Sequence, residues 1–182
     1  MAEPLTSRSS TFSPSAAWRV RQPSLLVSHV VEVHHEPTRA MLAKIERLLG
    51  CVTDVYCVRP PMPEIAEYFG RFRQALVGHL EHEEREIFAP IAVLERHVPV
   101  TISRAIARAT QEHAALHDEL TRIRILSGEL HAADDTCRAM RALHTALTDL
   151  ERDLEAHFQL ESELLFPRAE ELERTVREES RR

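Results

Sequence analysis

The stretch Leu143-His-Thr-Ala-Leu147-Thr-Asp-Leu150-Glu-Arg-Asp-Leu154-Glu-Ala-His157-Phe-Gln-Leu-Glu161-Ser-Glu-Leu164 repeats its apolar residues at alternating spacings of three and four. That period lays side chains along one face of an α-helix. The stripe of Leu143, Leu147, Leu150 and Leu154 runs on in register through His157 and Glu161 before Leu164 restores it. A second stretch reads the same way, as Ile65, Phe69, Phe72, Leu76, His79, Glu83 and Ile87. A third gives Ile102, Ile106, Ala109, His113, Leu116, Leu120 and Ile123, with His117 one turn beyond His113, and a fourth gives Val31, His35, Thr38, Leu42, Ile45 and Leu49.

Breakers separate these stripes into four segments, roughly Ser24 to Leu49, Pro63 to His97, Thr101 to Leu130 and Asp134 to about Arg177. Gly50 offers a C-terminal cap, and Arg59-Pro60-Pro61-Met62-Pro63 cannot continue a helix, because proline lacks a donor and restricts the residue before it. Pro99 with Thr101 resets the chain for the third segment, and Asp134-Asp135 supplies an N-cap for the fourth. Four amphipathic helices on short connections predict an all-α fold, an antiparallel four-helix bundle. Composition agrees: the 182 residues include only four glycines and 5% aromatics, too few for the turns and aromatic runs that sheets use.

Residues 1–23 are rich in Ser, Thr and Pro, with Trp18 as the one large apolar group, and predict a flexible leader. The bundle is expected over 24–178 and a short tail over 179–182. The charges after Pro167 read as a solvated helical extension. A net charge of −6 and the absence of basic stretches interleaved with aromatics argue against a nucleic-acid partner. No run approaches the roughly 18 apolar residues of a membrane span, and the first 24 residues lack the apolar core of a signal peptide. Three cysteines (Cys51, Cys57, Cys137) form no disulfide framework and no C-x-x-C pair, which suits a reducing cytoplasm.

The interruptions of the stripes carry the chemistry. All four apolar seams contain a histidine, and two add a glutamate one turn later, where an unpaired carboxylate costs several kcal/mol to bury. Spacing of four stacks His79 over Glu83 and His157 over Glu161 on one helix face, so that nitrogens and oxygens converge between helices. The expected metal ligands are therefore His35, His79, Glu83, His113, His117, His157 and Glu161. So many N and O donors, without thiolates, exceed one tetrahedral zinc and suit a pair of iron or manganese ions bridged by the carboxylates. Two ferric ions carry more charge than two carboxylates neutralise, so an oxo or hydroxo bridge is expected as well.

The remaining histidines divide differently. The ladder from Val31 to Leu49 favours His35 over its neighbour His34. His29, His82, His97, His131 and His144 fall off the seams or near helix ends, and His82, although it repeats the His-x-x-x-Glu spacing with Glu86, is expected on the solvent side. Pro37 should kink the first helix just after His35.

From about Leu25 to Glu173 these residues resemble the hemerythrin-like (HHE) di-iron proteins. Within that group, His157-Phe-Gln-Leu-Glu161-Ser-Glu-Leu-Leu-Phe166-Pro167 and His79-Leu-Glu-His-Glu83-Glu84-Arg-Glu-Ile-Phe88 are most similar to the bacterial repair-of-iron-centres proteins, as are Glu112-His113 and Cys137. The resemblance implies two non-haem irons, with Glu83 and Glu161 bridging and His35, His79, His113 and His157 terminal. It implies a function in nitrosative or oxidative stress, handling iron and O2 or NO and delivering iron to damaged iron-sulfur proteins. Repair proteins usually carry an N-terminal domain with cysteines, whereas this sequence has its short leader, with Cys51 and Cys57 near the first long loop. His113-x-x-x-His117 resembles instead the third helix of oxygen-binding hemerythrins, whose fourth helix carries His-x-x-x-x-Asp; position 162 here is Ser. The alternative reading is thus a reversible O2 or NO carrier or sensor with His117 as an added ligand. No phosphate loop, nucleophile elbow or triad supports a hydrolase or transferase.

Overall fold

A computed structural model of the chain describes residues 21–56, 62–133 and 138–182. Most of the expected leader, the Asp134-Asp135 cap, Cys57 and Cys137 lie outside the described residues. Among these residues the chain forms four helices: α1 (23–56), α2 (62–94), α3 (Ser103–Ala133) and α4 (138–179). Each packs on its two neighbours around a ring, α1 on α2, α2 on α3, α3 on α4 and α4 on α1, with the chain running alternately up and down.

Three helices are not uniformly α. Turns of π geometry occupy Val31–His35 in α1, Glu84–Phe88 in α2 and Glu161–Leu165 in α4. Each ends two residues before a proline: Pro37, Pro90 and Pro167. A proline ring collides with the carbonyl four residues back, here Val33, Glu86 and Glu163, and each of these sits in the middle of a π turn. Widening the turn moves that carbonyl aside and needs no bond from the missing proline N–H. The expected kink at Pro37 is therefore absorbed as a π turn, and α1 continues through it.

The core divides in two along the bundle axis. One apolar cluster includes Leu42, Ile45, Phe69, Phe72, Leu76, Leu120, Leu143, Leu150 and Leu154; the other includes Leu26, Val30, Ile87, Ile91, Ile102, Ile106, Leu160, Leu164 and Phe166. Every helix passes from one cluster to the other, and at each crossing stands one of His35, Glu83, His113 or His157. A polar layer thus lies between two hydrophobic plugs, whose burial supplies the driving force for folding.

Several ends differ from the sequence reading. Gly50 lies inside α1, which runs on to Tyr56, and a Cβ there would meet nothing within 4 Å. Helix α2 stops at Leu94, where His97 takes a positive φ of 59° and donates its N–H to Leu94 O at 2.8 Å. That left-handed position is one usually given to glycine or asparagine. Glu173, expected to be a solvated charge, is buried, and its Oε2 accepts the backbone N–H groups of Ile102 at 3.1 Å and Ser103 at 3.0 Å. The end of α4 therefore caps the start of α3. Glu95 does likewise for α1, accepting from the Ser24 N–H at 2.9 Å.

Candidate metal centre

Six buried side chains meet in the polar layer. His35 comes from α1, His79 and Glu83 from α2, His113 from α3, and His157 and Glu161 from α4. The spacing of four within His79–Glu83 and His157–Glu161 aims each pair at one point: His79 Nε2 is 3.2 Å from Glu83 Oε1, and His157 Nε2 is 3.0 Å from Glu161 Oε1. His113 Nε2 lies 3.3 Å from Glu83 Oε1 and also 3.3 Å from Glu161 Oε2. His35 Nε2 lies 3.5 Å from Glu83 Oε2 and 3.1 Å from His157 Nε2. Two overlapping groups result, His35, Glu83, His157 and Glu161 on one side and His79, Glu83, His113 and Glu161 on the other, each with its ligand atoms within 4.8 Å of one another.

Outside this ring of donors, carboxylates fix the imidazoles. His35 Nδ1–H donates to Glu84 Oε1 at 2.7 Å, and His79 Nδ1–H donates to Glu112 Oε2 at 2.9 Å. An ionised carboxylate only accepts, so in each neutral ring the proton is on Nδ1 and the lone pair of Nε2 faces inward. Arg39 steadies Glu84 at 3.0 Å, and Arg108 steadies Glu112 at 2.7 Å. Burial would raise both carboxyls, yet the bonds from His35 and Arg39 hold Glu84 below its ordinary range, and those from His79 and Arg108 do the same for Glu112. Each group therefore contains one imidazole backed by a carboxylate, the arrangement that orients a metal-binding histidine and raises its basicity.

The interior of the ring does not satisfy itself. Glu83 Oε2, both oxygens of Glu161 and His79 Nε2 are buried without a hydrogen-bond partner, while lone pairs on His35 and His79 confront acceptor oxygens. Burial, together with the charge of Glu161, pushes the Glu83 carboxyl well up. Burial opposes ionisation of Glu161 too, but the imidazoles of His157 and His113 beside it hold it low. Burial lowers His79 to about 4, which keeps that ring neutral. Converging lone pairs and carboxylates around one point are the requirements of a cation, and this donor set fits one.

Aromatic rings close the layer. Phe158 stacks on His113 with centroids 3.9 Å apart, Phe166 lies at 5.9 Å from the same ring, and Phe88 sits 5.3 Å from His35. They exclude water and limit how the imidazoles can turn.

Not every expected ligand joins this ring. His117 is exposed and belongs to neither group, because Leu116 occupies the inward position on α3 and turns its neighbour outward. His82 is buried rather than solvent-facing: three residues after His79, it shares the face turned to α3, and its Nδ1 lies 3.5 Å from Glu112 Oε2. His34 is also buried, bonded through Nδ1 to Asp153 at 3.0 Å and stacked on His157 at 5.2 Å, while His35 is the residue that enters the ring. The backing roles of Glu84, Glu112 and Asp153 were not read from sequence, although Glu84 and Glu112 each adjoin a residue of the ring.

An antiparallel four-helix bundle with a buried His/Glu metal centre defines a class of cation-binding helical proteins. The family model of the hemerythrin HHE cation binding domain matches residues 26–123, more than half of the chain, and the chain belongs to this family. Similar proteins include the iron-sulfur cluster repair protein YtfE of Yersinia pestis (strain Pestoides F) and of Yersinia pseudotuberculosis serotype IB (strain PB1/+). Each is 26% identical over 156 residues, which is 85% of this chain and 69% of the relative. None of the helices described is long and apolar enough to cross a membrane.

Proposed function

We propose that this chain is a non-haem di-iron protein that handles iron in the cytoplasm under nitrosative or oxidative stress and passes it to damaged iron-sulfur proteins. The observation that carries this reading is the sharing of Glu83 and Glu161 between the two four-residue groups. One iron would be held by His35 and His157 and the other by His79 and His113, with Glu83 and Glu161 bridging. Four imidazoles and two carboxylates are donors that suit iron better than a cysteine-free zinc centre, and the naming of the YtfE relatives for iron-sulfur cluster repair supports the destination of the metal.

Bound iron would supply redox chemistry and affinity for O2 or NO. The chain's own residues set the terms: Glu84 and Glu112 orient His35 and His79, and Phe158, Phe166 and Phe88 keep bulk water from the ring. Only two carboxylates reach the ring, so the protein under-neutralises two ferric ions and holds them less firmly than a carboxylate-rich cage does. That balance favours release over storage. A reversible O2 or NO carrier is less well supported, because its added ligand, His117, is at the surface.

The test is metal content followed by transfer. The chain loaded anaerobically with ferrous iron should hold two irons, and Glu161→Ala or His157→Ala should lose stable two-iron loading. Mixed with an iron-depleted iron-sulfur protein and sulfide, the loaded chain should restore the acceptor's cluster absorbance. Unchanged loading in both variants overturns the site, and iron that stays on the loaded chain overturns the repair reading.

A further inference from the structure

Beside the metal layer, α2 and α3 open to the surface in a second cleft that the proposed function does not use. Its volume is about 530 Å3, and it is lined by His82, Arg85, Glu86, Thr101, Arg104 and Arg108. A cleft of this size holds a small molecule rather than a polymer. Three guanidiniums around one cleft, Arg85 from α2 and Arg104 and Arg108 from α3, are unexpected in a chain of net charge −6. Two have carboxylate partners: Arg85 Nε bonds Glu86 Oε1 at 2.8 Å, and Arg108 Nε bonds Glu112 Oε1 at 2.7 Å. Arg104 is exposed, lines the same cleft and has no ion-pair partner among the described residues.

The floor of the cleft is polar as well. His82 is buried, and its Nδ1 faces Glu112 Oε2 at 3.5 Å without forming a hydrogen bond. Thr101 brings a hydroxyl just ahead of α3, whose first N–H groups are already taken by Glu173. The arginines act on the one acidic group lining the cleft: a bond from Arg85, with the charges of Arg85 and Arg108, holds the half-exposed Glu86 carboxyl below its ordinary range.

We propose that this cleft binds a small anion bearing two or three negative charges on oxygen, a phosphate or a polycarboxylate, with Arg104 as its principal contact and Arg85, Arg108 and Thr101 around it. Guanidinium forks match phosphate and carboxylate oxygens two at a time, and a multivalent anion can engage Arg85 and Arg108 from the side their own carboxylates leave open. The cleft also adjoins the metal layer. Arg108 lines both it and a smaller cleft of about 320 Å3 that contains His79 and Glu112. An anion drawing on Arg108 would therefore act one bond away from the carboxylate that backs His79. The binding itself does not depend on the iron reading.

Isothermal titration of the full-length, iron-loaded chain with inorganic phosphate, and separately with tricarballylate, at a constant ionic strength set by chloride tests this assignment. Tricarballylate lacks the hydroxyl that makes citrate a strong iron chelator. Saturable binding of one anion per chain is expected for at least one probe, weakened about tenfold in Arg104→Ser, the loss of one charge-assisted contact. Arg104→Lys should recover part of it. Arg152→Ser, at an exposed arginine elsewhere, should leave it unchanged. Binding of phosphate alone assigns a phosphate-bearing ligand, and of tricarballylate alone a polycarboxylate. The absence of saturable binding by either probe overturns the proposal. So does binding of equal strength in Arg104→Ser, which would place the anion at the irons.

Discussion

His35 Nε2 and His157 Nε2 stand 3.1 Å apart, brought together from α1 and α4. The proton of His35 is on Nδ1, held by Glu84 at 2.7 Å. When His157 Nε2 also presents its lone pair, as metal binding requires, the two nitrogens repel each other unless a cation lies between, and about 3 Å is the separation of two nitrogens that are each about 2.1 Å from one metal at a right angle. Glu84 is therefore a positioning residue for the metal layer, although it need not touch the metal.

Glu84→Ala should let the His35 ring turn and should speed iron loss to an excess of chelator by about tenfold or more, the usual cost of removing the partner of a metal-bound histidine. Glu84→Gln still offers an oxygen to Nδ1–H and should recover most of the retention. A merely structural role for Glu84 would lower the melting temperature of both variants alike and leave their iron release at the wild-type rate.

His113 and His117 are one turn apart on α3, yet only His113 faces the ring. Metal analysis should find His117→Ala with the same iron content as wild type, and His113→Ala with at least one iron lost. Equal losses in both would restore His117 to the ligand set.

Burial lowers His79 to about 4, below its ordinary value of 6.5. In the metal-free protein the unfolded chain takes up this proton first as pH falls. The contribution is therefore whole above pH 6.5 and is lost progressively down to about pH 4. The full span corresponds to about 3 kcal/mol. Urea unfolding of metal-free wild type and His79→Gln at pH 7 and pH 4 isolates it: wild type should lose about that much more than the variant on acidification. A parallel loss in the two proteins would mean that His79 does not carry this pH dependence.

Much of this arrangement was legible in the seams. Writing each helix at spacings of three and four placed Leu76, His79 and Glu83 in one line, and Leu154, His157 and Glu161 in another, and the same residues face inward in the fold. What spacing could not show was the effect of prolines on the turns before them: Pro90 and Pro167 follow π turns that change the face presented after Glu83 and from Glu161 onward. Nor could it separate adjacent faces. Its place off the seam points His82 to solvent, but a helix packed on two neighbours buries its flanks as well, and α3 covers that flank. Residue type alone makes Gly50 a stop, whereas the helix continues with nothing crowding it. Contacts between distant segments, such as Glu173 with the start of α3, leave no local pattern at all.

That last contact is open to a direct measurement. Glu173 is buried near the end of α4 and accepts two backbone N–H groups at the start of α3 while Arg177 pairs with its other oxygen. These are donors that the helix itself cannot satisfy, so Glu173→Ala would leave them unpaired in a position already closed to water. The expected cost is about 2 kcal/mol of stability, read as a lower urea midpoint with an unchanged slope. Iron content should stay at the wild-type level, because Leu164, Phe166 and Ala169 of the second apolar cluster separate Glu173 from Glu161 along α4. Full stability in Glu173→Ala would show that solvent or another acceptor reaches the start of α3, and loss of iron at unchanged stability would place Glu173 in the metal machinery instead.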